Sequence, residues 1–185
     1  NKYIKKHKIE SLLVEPVPFY YSKFKDNYAN ENFVKLEKSA ISKKSGTISM
    51  YTVKRDYLDN YDDHIKGINS VDKKHLIKHN VKSNHIEKIS VECLSPEDLL
   101  KKYKINNLDL LYIDAEGYDG DIVISFLNYL NFQPIIVFEF IHVVYDLFVN
   151  VIKKLDEKKY NYFSIDENLI CFPKEDIFYD SIHLK

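Results

Sequence analysis

Carboxylates that close apolar runs are the side chains of this sequence best suited to chemistry. The foremost group is Asp114-Ala-Glu116-Gly117, which follows the apolar run Leu110 to Ile113 at once. A short apolar run cut off by acids and a glycine, then a helical pattern, reads as a buried parallel strand ending at a functional edge of an α/β sheet. Ligands of such sheets bind just beyond the carboxyl ends of the strands. Glu15 closes Ser11-Leu-Leu-Val14 in the same way, and Glu139 closes the run that begins at Pro134. Acids also cap helix N-termini and neutralise the dipole there. Three strand ends of one kind favour a site over three caps. One carboxylate can accept hydrogen bonds from two vicinal hydroxyls, so Glu15 has the character of a ribose ligand.

The elements that would position these acids can be read along the chain. Ser11 to Val14 is a strand, and Pro16 and Pro18 open a helix with Phe19, Tyr20, Phe24 and Tyr28 on its apolar face. Phe33 to Ala40 and Thr47 to Val53 alternate as strands and are expected to pair as a hairpin about Ser45-Gly46. Residues 54–86 are polar, hold four histidines, and are expected to form an insertion or lid with a short helix over Val71 to His79. Glu87 to Leu94 is a strand. Ser95-Pro-Glu-Asp98 is a helix start, with Ser at the cap and Pro at the first position. Leu108 to Asp114 is expected at the centre of the sheet. Helices follow from Asp119 and Val143, a strand lies between them from Pro134, and Tyr160 to Ile165 with Leu169 to Pro173 forms a closing hairpin. This order predicts one α/β domain over 1–185, with a mostly parallel sheet of about seven strands and an antiparallel end.

Composition excludes several classes. The chain has 185 residues, 45% hydrophobic, and a formal charge of -1, so no global field attracts nucleic acid. Arg55 is the only arginine, so no clamp of paired guanidinium groups exists. Cys93 and Cys171 lie in apolar runs with no CxxC spacing, as buried thiols of a reducing cytoplasm do. No apolar run reaches the roughly 20 residues of a membrane span.

Leu13-Val-Glu-Pro16, Ser39-Ala-Ile-Ser42 with Ser45-Gly46, Leu94-Ser-Pro-Glu-Asp-Leu99, Tyr112-Ile-Asp-Ala-Glu-Gly117 and Val137-Phe-Glu139 stand in the order of the landmarks of FkbM-type methyltransferases. The sequence resembles that family from Leu12 to about Pro173. The resemblance implies a Rossmann-like class I methyltransferase fold and S-adenosylmethionine as cofactor. It implies O-methylation of a sugar, glycan or small natural product. Carried onto this chain, Glu15 and Pro16 border the ribose, Ser39 and Ala40 the adenine, and Asp114 the methionine amino group or the acceptor. Glu116 and Glu139 line the acceptor side. His142, just past Glu139, is the candidate general base, since a neutral imidazole takes a hydroxyl proton near neutral pH. The four glycines, Gly46, Gly67, Gly117 and Gly120, form no Gly-x-Gly turn after a strand. The family's first strand and glycine loop are therefore expected upstream of Asn1.

Other readings compete. His64, His75, His79 and His85 invite a metal, but their Lys-rich surroundings lack a zinc spacing, and a solvated loop with no metal is the expectation. Asp62-Asp63 with Asp114 and Glu116 would hold Mg²⁺ only if the fold joined them. A different nucleotide-binding enzyme of the NAD type, or an inactive methyltransferase-like binding domain, shares the acid after the first strand.

Overall fold

Strand and helix alternate through the computed structural model, which describes residues 2–174; the expected domain limits at 1 and 185 lie outside the described residues. The elements are α1 (Lys2–His7), β1 (Ser11–Val14), α2 (Pro18–Tyr28), β2 (Val34–Glu37), β3 (Ala40–Ile41), β4 (Gly46–Val53), α3 (Asp63–Gly67), α4 (Lys73–Lys78), β5 (Ile86–Leu94) and α5 (Pro96–Tyr103). They continue as β6 (Leu110–Ile113), α6 (Asp119–Tyr129), β7 (Ile135–Glu139), α7 (Tyr145–Glu157), β8 (Tyr160–Ile165) and β9 (Asn168–Pro173).

These strands form three sheets, in the orders β1-β2, β3-β5-β4 and β6-β7-β9-β8. The α/β class holds, but the pairing is mixed and not mostly parallel. β1 with β2, β3 with β5, and β6 with β7 are parallel; β4 with β5, β7 with β9, and β8 with β9 are antiparallel. Besides the antiparallel closing strands β8 and β9, two features depart from the expected pairing. The run from Phe33 to Ala40 breaks into β2 and β3 at Lys38-Ser39. There the Glu37 side chain is buried against Lys102 Nζ at 2.6 Å and Tyr103 OH at 2.8 Å. β4 then pairs with β5 over its full length, Gly46 opposite Cys93 to Val53 opposite Ile86, instead of forming a hairpin with its predecessor.

The expectation of a central strand at Leu108 to Asp114 is also corrected. Among the described residues β6 pairs with β7 alone and stands at the end of its sheet. Leu110 is 54% and Tyr112 60% exposed, and within β6 only Ile113 is buried. An apolar run by itself does not distinguish a strand covered on both sides from one at a border.

The helices follow their local signals. Ser95 Oγ accepts the Asp98 N–H at 3.1 Å, Pro96 occupies the first turn of α5, and Lys104 ends it in a left-handed conformation. Apolar side chains at helical spacing bury one face of α6 through Ile122, Val123, Phe126 and Leu127, and of α7 through Val151 and Leu155. These pack with Ile113, Ile136, Phe138 and Cys171 into one core, against which Leu12 and Val14 of β1 and Leu94 of β5 also lean. Residues 54–86 carry α3, α4 and two 3-10 turns over a smaller apolar cluster of Val53, Ile65, Ile68, Leu76, Val81 and Ile86.

Gly120 lets α6 approach the start of α7. A β-carbon at this position would lie 2.9 Å from Val143 Cγ1 and 3.0 Å from two Leu147 side-chain carbons. Gly120→Val is expected to cost about 1–3 kcal/mol through overpacking, read as a lower urea midpoint at unchanged m-value. An unchanged midpoint would show that the contact yields without strain.

Candidate active site

The turn between β6 and α6 is folded around one carboxylate. Asp119 is fully buried; its Oδ1 accepts the Ala115 N–H at 3.0 Å and its Oδ2 the Gly117 N–H at 3.1 Å. Burial pushes its pKa up to about 6, against the downward pull of those N–H groups. The turn forces Glu116 to φ +50° and Gly117 to φ +92°. A left-handed glutamate is uncommon and persists only where its surroundings hold it. Two contacts do so here. The Ser70 hydroxyl donates to the Glu116 carbonyl at 2.8 Å, and His75 Nε2 lies 3.1 Å from Glu116 Oε2. Both come from residues 54–86, so that segment bears directly on the strand-end acids.

The end of β7 supplies the opposite wall. Glu139 closes the strand, and His142, in the turn that follows, brings Nε2 to 3.9 Å from Glu139 Oε1. Burial raises the Glu139 pKa to about 7, with further upward push from Glu116, Asp119, Asp114 and Glu167. Asp114 is raised by burial and then by Glu116. Burial lowers His142, and the nearby imidazoles of His75 and His79 lower it further. The three rings form a compact group, with centroids 4.7 Å apart for His75–His79, 4.7 Å for His75–His142 and 5.4 Å for His79–His142. Gly117 lies against them. A β-carbon there would be 3.6 Å from His75 Nδ1 and 3.7 Å from His142 Cβ.

The structure thus brings Asp114, Glu116, Glu139 and His142 into one electrostatic group. Glu15 belongs to another sheet. Its N–H donates to the Glu37 carbonyl at 3.0 Å, and its Oε1 accepts the Val17 N–H at 2.7 Å, across Pro16. Burial pushes its pKa up to about 7. Ser39 and Ala40 do not end a strand as expected: Ser39 is buried in the link after β2, and Ala40 opens β3 beside Cys93. Two residues on, Ser42 Oγ lies 3.4 Å from Tyr118 OH, which joins this segment to the β6–α6 turn.

Sequence reasoning missed four members of the site: Asp119, Ser70, His75 and His79. Asp119 reads as an ordinary first-turn acid, and Ser70 as a loop residue. His75 and His79 show their four-residue spacing, but the expectation of a solvated loop is corrected. His75 is 7% exposed, and the partner that gathers the pair, His142, is remote in sequence.

The methyltransferase FkbM domain model matches residues 2–162. Comparison with curated proteins and with solved structures returned no match.

Two outcomes test this geometry. Gly117→Ala is expected to cost about 1–2 kcal/mol, because an L side chain is strained at its positive φ; an unchanged urea midpoint would contradict the turn described. Glu15 provides a pH test. Its folded pKa of about 7 stands above the ordinary 4.5. Its contribution is therefore complete below about pH 4.5 and is lost as pH rises through about 7. Glu15→Gln keeps the acceptor for Val17 and cannot ionise. Relative to wild type it should gain about 1–2 kcal/mol between pH 5 and pH 8, after allowing for partial exposure. A stability difference identical at both pH values would rule out the buried carboxyl.

Proposed function

Because the chain belongs to the FkbM methyltransferase family, we propose that it transfers a methyl group from S-adenosylmethionine to a hydroxyl oxygen of a sugar, glycan or small natural product. The observation that carries this reading is the convergence of Asp114, Glu116, Glu139 and His142 beyond the ends of two adjacent parallel strands, β6 and β7. That is where ligands of parallel α/β sheets bind.

The donor set fits the ribose end of the cofactor. Glu15 is a half-buried carboxyl with one oxygen engaged by Val17, and among the described residues no hydrogen bond is made to the other. That oxygen can accept from vicinal hydroxyls, with Pro16 stiffening the backbone beside it. Ser39 and Ala40, linked through Ser42 to Tyr118, lie on the path from β2 to the β6–α6 turn and are assigned to the adenine side. Asp114 is assigned to the amino group of the methionine part. No Gly-x-Gly turn occurs in the sequence to cradle the rest of that part. When bound, S-adenosylmethionine supplies a sulfonium-activated methyl group.

The chain's own residues then have two tasks: aligning the acceptor and removing one proton. Glu116, held in its left-handed conformation by Ser70 and His75, presents a fixed acceptor for a substrate hydroxyl. Glu139 and His142, whose Oε1 and Nε2 stand 3.9 Å apart, are assigned to take the proton. The segment over residues 54–86 would act as a lid, since Ser70 and His75 are its direct contacts with the catalytic turn. An acid-rich mouth repels phosphates and favours polyhydroxylated acceptors over nucleic acid. No described helix is long and apolar enough to cross a membrane. Two buried free thiols, Cys93 and Cys171, suit a cytoplasmic setting.

The test is transfer of label from S-adenosylmethionine to a panel of sugars and lipid-linked saccharides. Glu139→Gln should lower kcat by about 10²–10⁴-fold, the range of general-base catalysis. Glu15→Ala should weaken cofactor binding by about 1–3 kcal/mol. Label on protein or nucleic acid, tight binding of NAD instead, or no transfer to any acceptor would overturn the reading.

A further inference from the structure

We propose that His75, His79 and His142 form a binding site for a divalent transition-metal ion, Zn²⁺ by its ligand chemistry, with a coordination position left open toward the strand-end acids. Each imidazole offers one nitrogen, and the three nitrogens all lie within 4.8 Å of one another. Tetrahedral ligands at about 2.0–2.1 Å from a zinc ion stand roughly 3.3 Å apart. Contraction by about 1.5 Å at most closes the site around an ion, and the two half-exposed rings, His79 and His142, are free to make that rotation.

Three further features of the site favour an ion over a chance grouping. The ligands come from separate parts of the chain. His75 and His79 share one face of α4 and its C-terminal cap, whereas His142 arrives in the turn after β7. The buried member is oriented by a carboxylate: Glu116 Oε2 lies 3.1 Å from His75 Nε2. A carboxylate accepts there, so in the neutral imidazole that binds a metal the proton sits on Nε2 and Nδ1 is the atom with the free lone pair. That is the carboxylate–histidine arrangement that sets the tautomer of metal-bound imidazoles. Gly117 leaves room on that side, since its missing β-carbon would stand 3.6 Å from Nδ1.

An all-imidazole set suits zinc, copper, iron or nickel and disfavours magnesium and calcium, which take oxygen ligands. Three protein ligands with a free fourth position is the pattern of zinc sites that bind a water or a substrate oxygen, not of closed structural sites. With an ion present His142 serves as its ligand, and proton acceptance falls to Glu139 alone. Metal binding itself needs neither cofactor nor acceptor, so it stands apart from the methyl-transfer reading.

The test uses the full chain stripped with a chelator, without cofactor or acceptor. Calorimetric titration with Zn²⁺ is expected to saturate at one equivalent. Titration with Co²⁺ is expected to give the intense visible bands of a tetrahedral centre. His79→Ala and His142→Ala should each weaken Zn²⁺ binding by at least about tenfold, since even loss of an outer partner costs about 10–100-fold. His7→Ala, on α1, should leave binding unchanged. The wild-type Co²⁺ spectrum needs no variant and reads the site directly. Weak, unsaturated Zn²⁺ binding, a six-coordinate Co²⁺ spectrum, or wild-type affinity in both histidine variants would overturn the proposal.

Discussion

The buried Asp119 carboxylate is the interaction on which the rest of the site depends. Both of its oxygens are engaged by backbone N–H groups of the turn before it, at Ala115 and Gly117. A fully buried carboxylate is costly unless it is hydrogen-bonded, and a buried N–H is costly unless it finds an acceptor. Each satisfies the other here, and only one path of the intervening backbone allows it. That path sends Glu116 through a left-handed conformation and leaves only a glycine-compatible φ at the next residue. The strand-end acids Asp114 and Glu116 are therefore displayed by a turn whose shape is fixed by a side chain with no exposure of its own.

A second layer of support comes from residues 54–86. The small apolar cluster beneath this segment is separate from the main core. Ser70 also pairs with Tyr51 of β4, through backbone bonds of 2.8 and 3.1 Å. The segment is thus moored to β4 through Ser70 and the shared apolar cluster, to α2 through the Tyr20 hydroxyl on the Lys66 carbonyl, and to the β6–α6 turn through Glu116. Separate small cores open more readily than a shared large one. The contacts that hold Glu116 in its conformation are made by a part of the chain supported by its own small apolar cluster.

Local signals were legible where the cause was local. Ser95 and Pro96 announced α5, the spacing of Ile122, Val123 and Phe126 announced α6, and the closing hairpin matched its two strands. The acids at strand ends also stood out, because an apolar run that stops at a charge is visible without any partner. Pairing was not legible. β4 alternates equally well against any neighbour, and its choice of β5 is made by packing across some forty residues of sequence. The place of β6 was lost for the same reason, since burial on both faces and exposure on one give similar short apolar runs. The histidine group was the least readable feature. Two of its three rings lay in a Lys-rich stretch typical of solvated loops, and the ring that gathers them belongs to another part of the chain.

The position of β6 has a consequence for what can lie beside the acid-lined turn. Its sequence is Leu110-Leu-Tyr-Ile113, and among the described residues no strand lies beside one row of its backbone donors and acceptors. Natural proteins blunt such borders with lysine, proline or a bulge, and this strand has none of the three. A short, flat, apolar ladder of that kind is a template for any extended peptide that reaches it, including the same segment of another copy. A strand seated there would extend the sheet next to the acid-lined turn, so whatever segment covers that border also becomes a neighbour of the site.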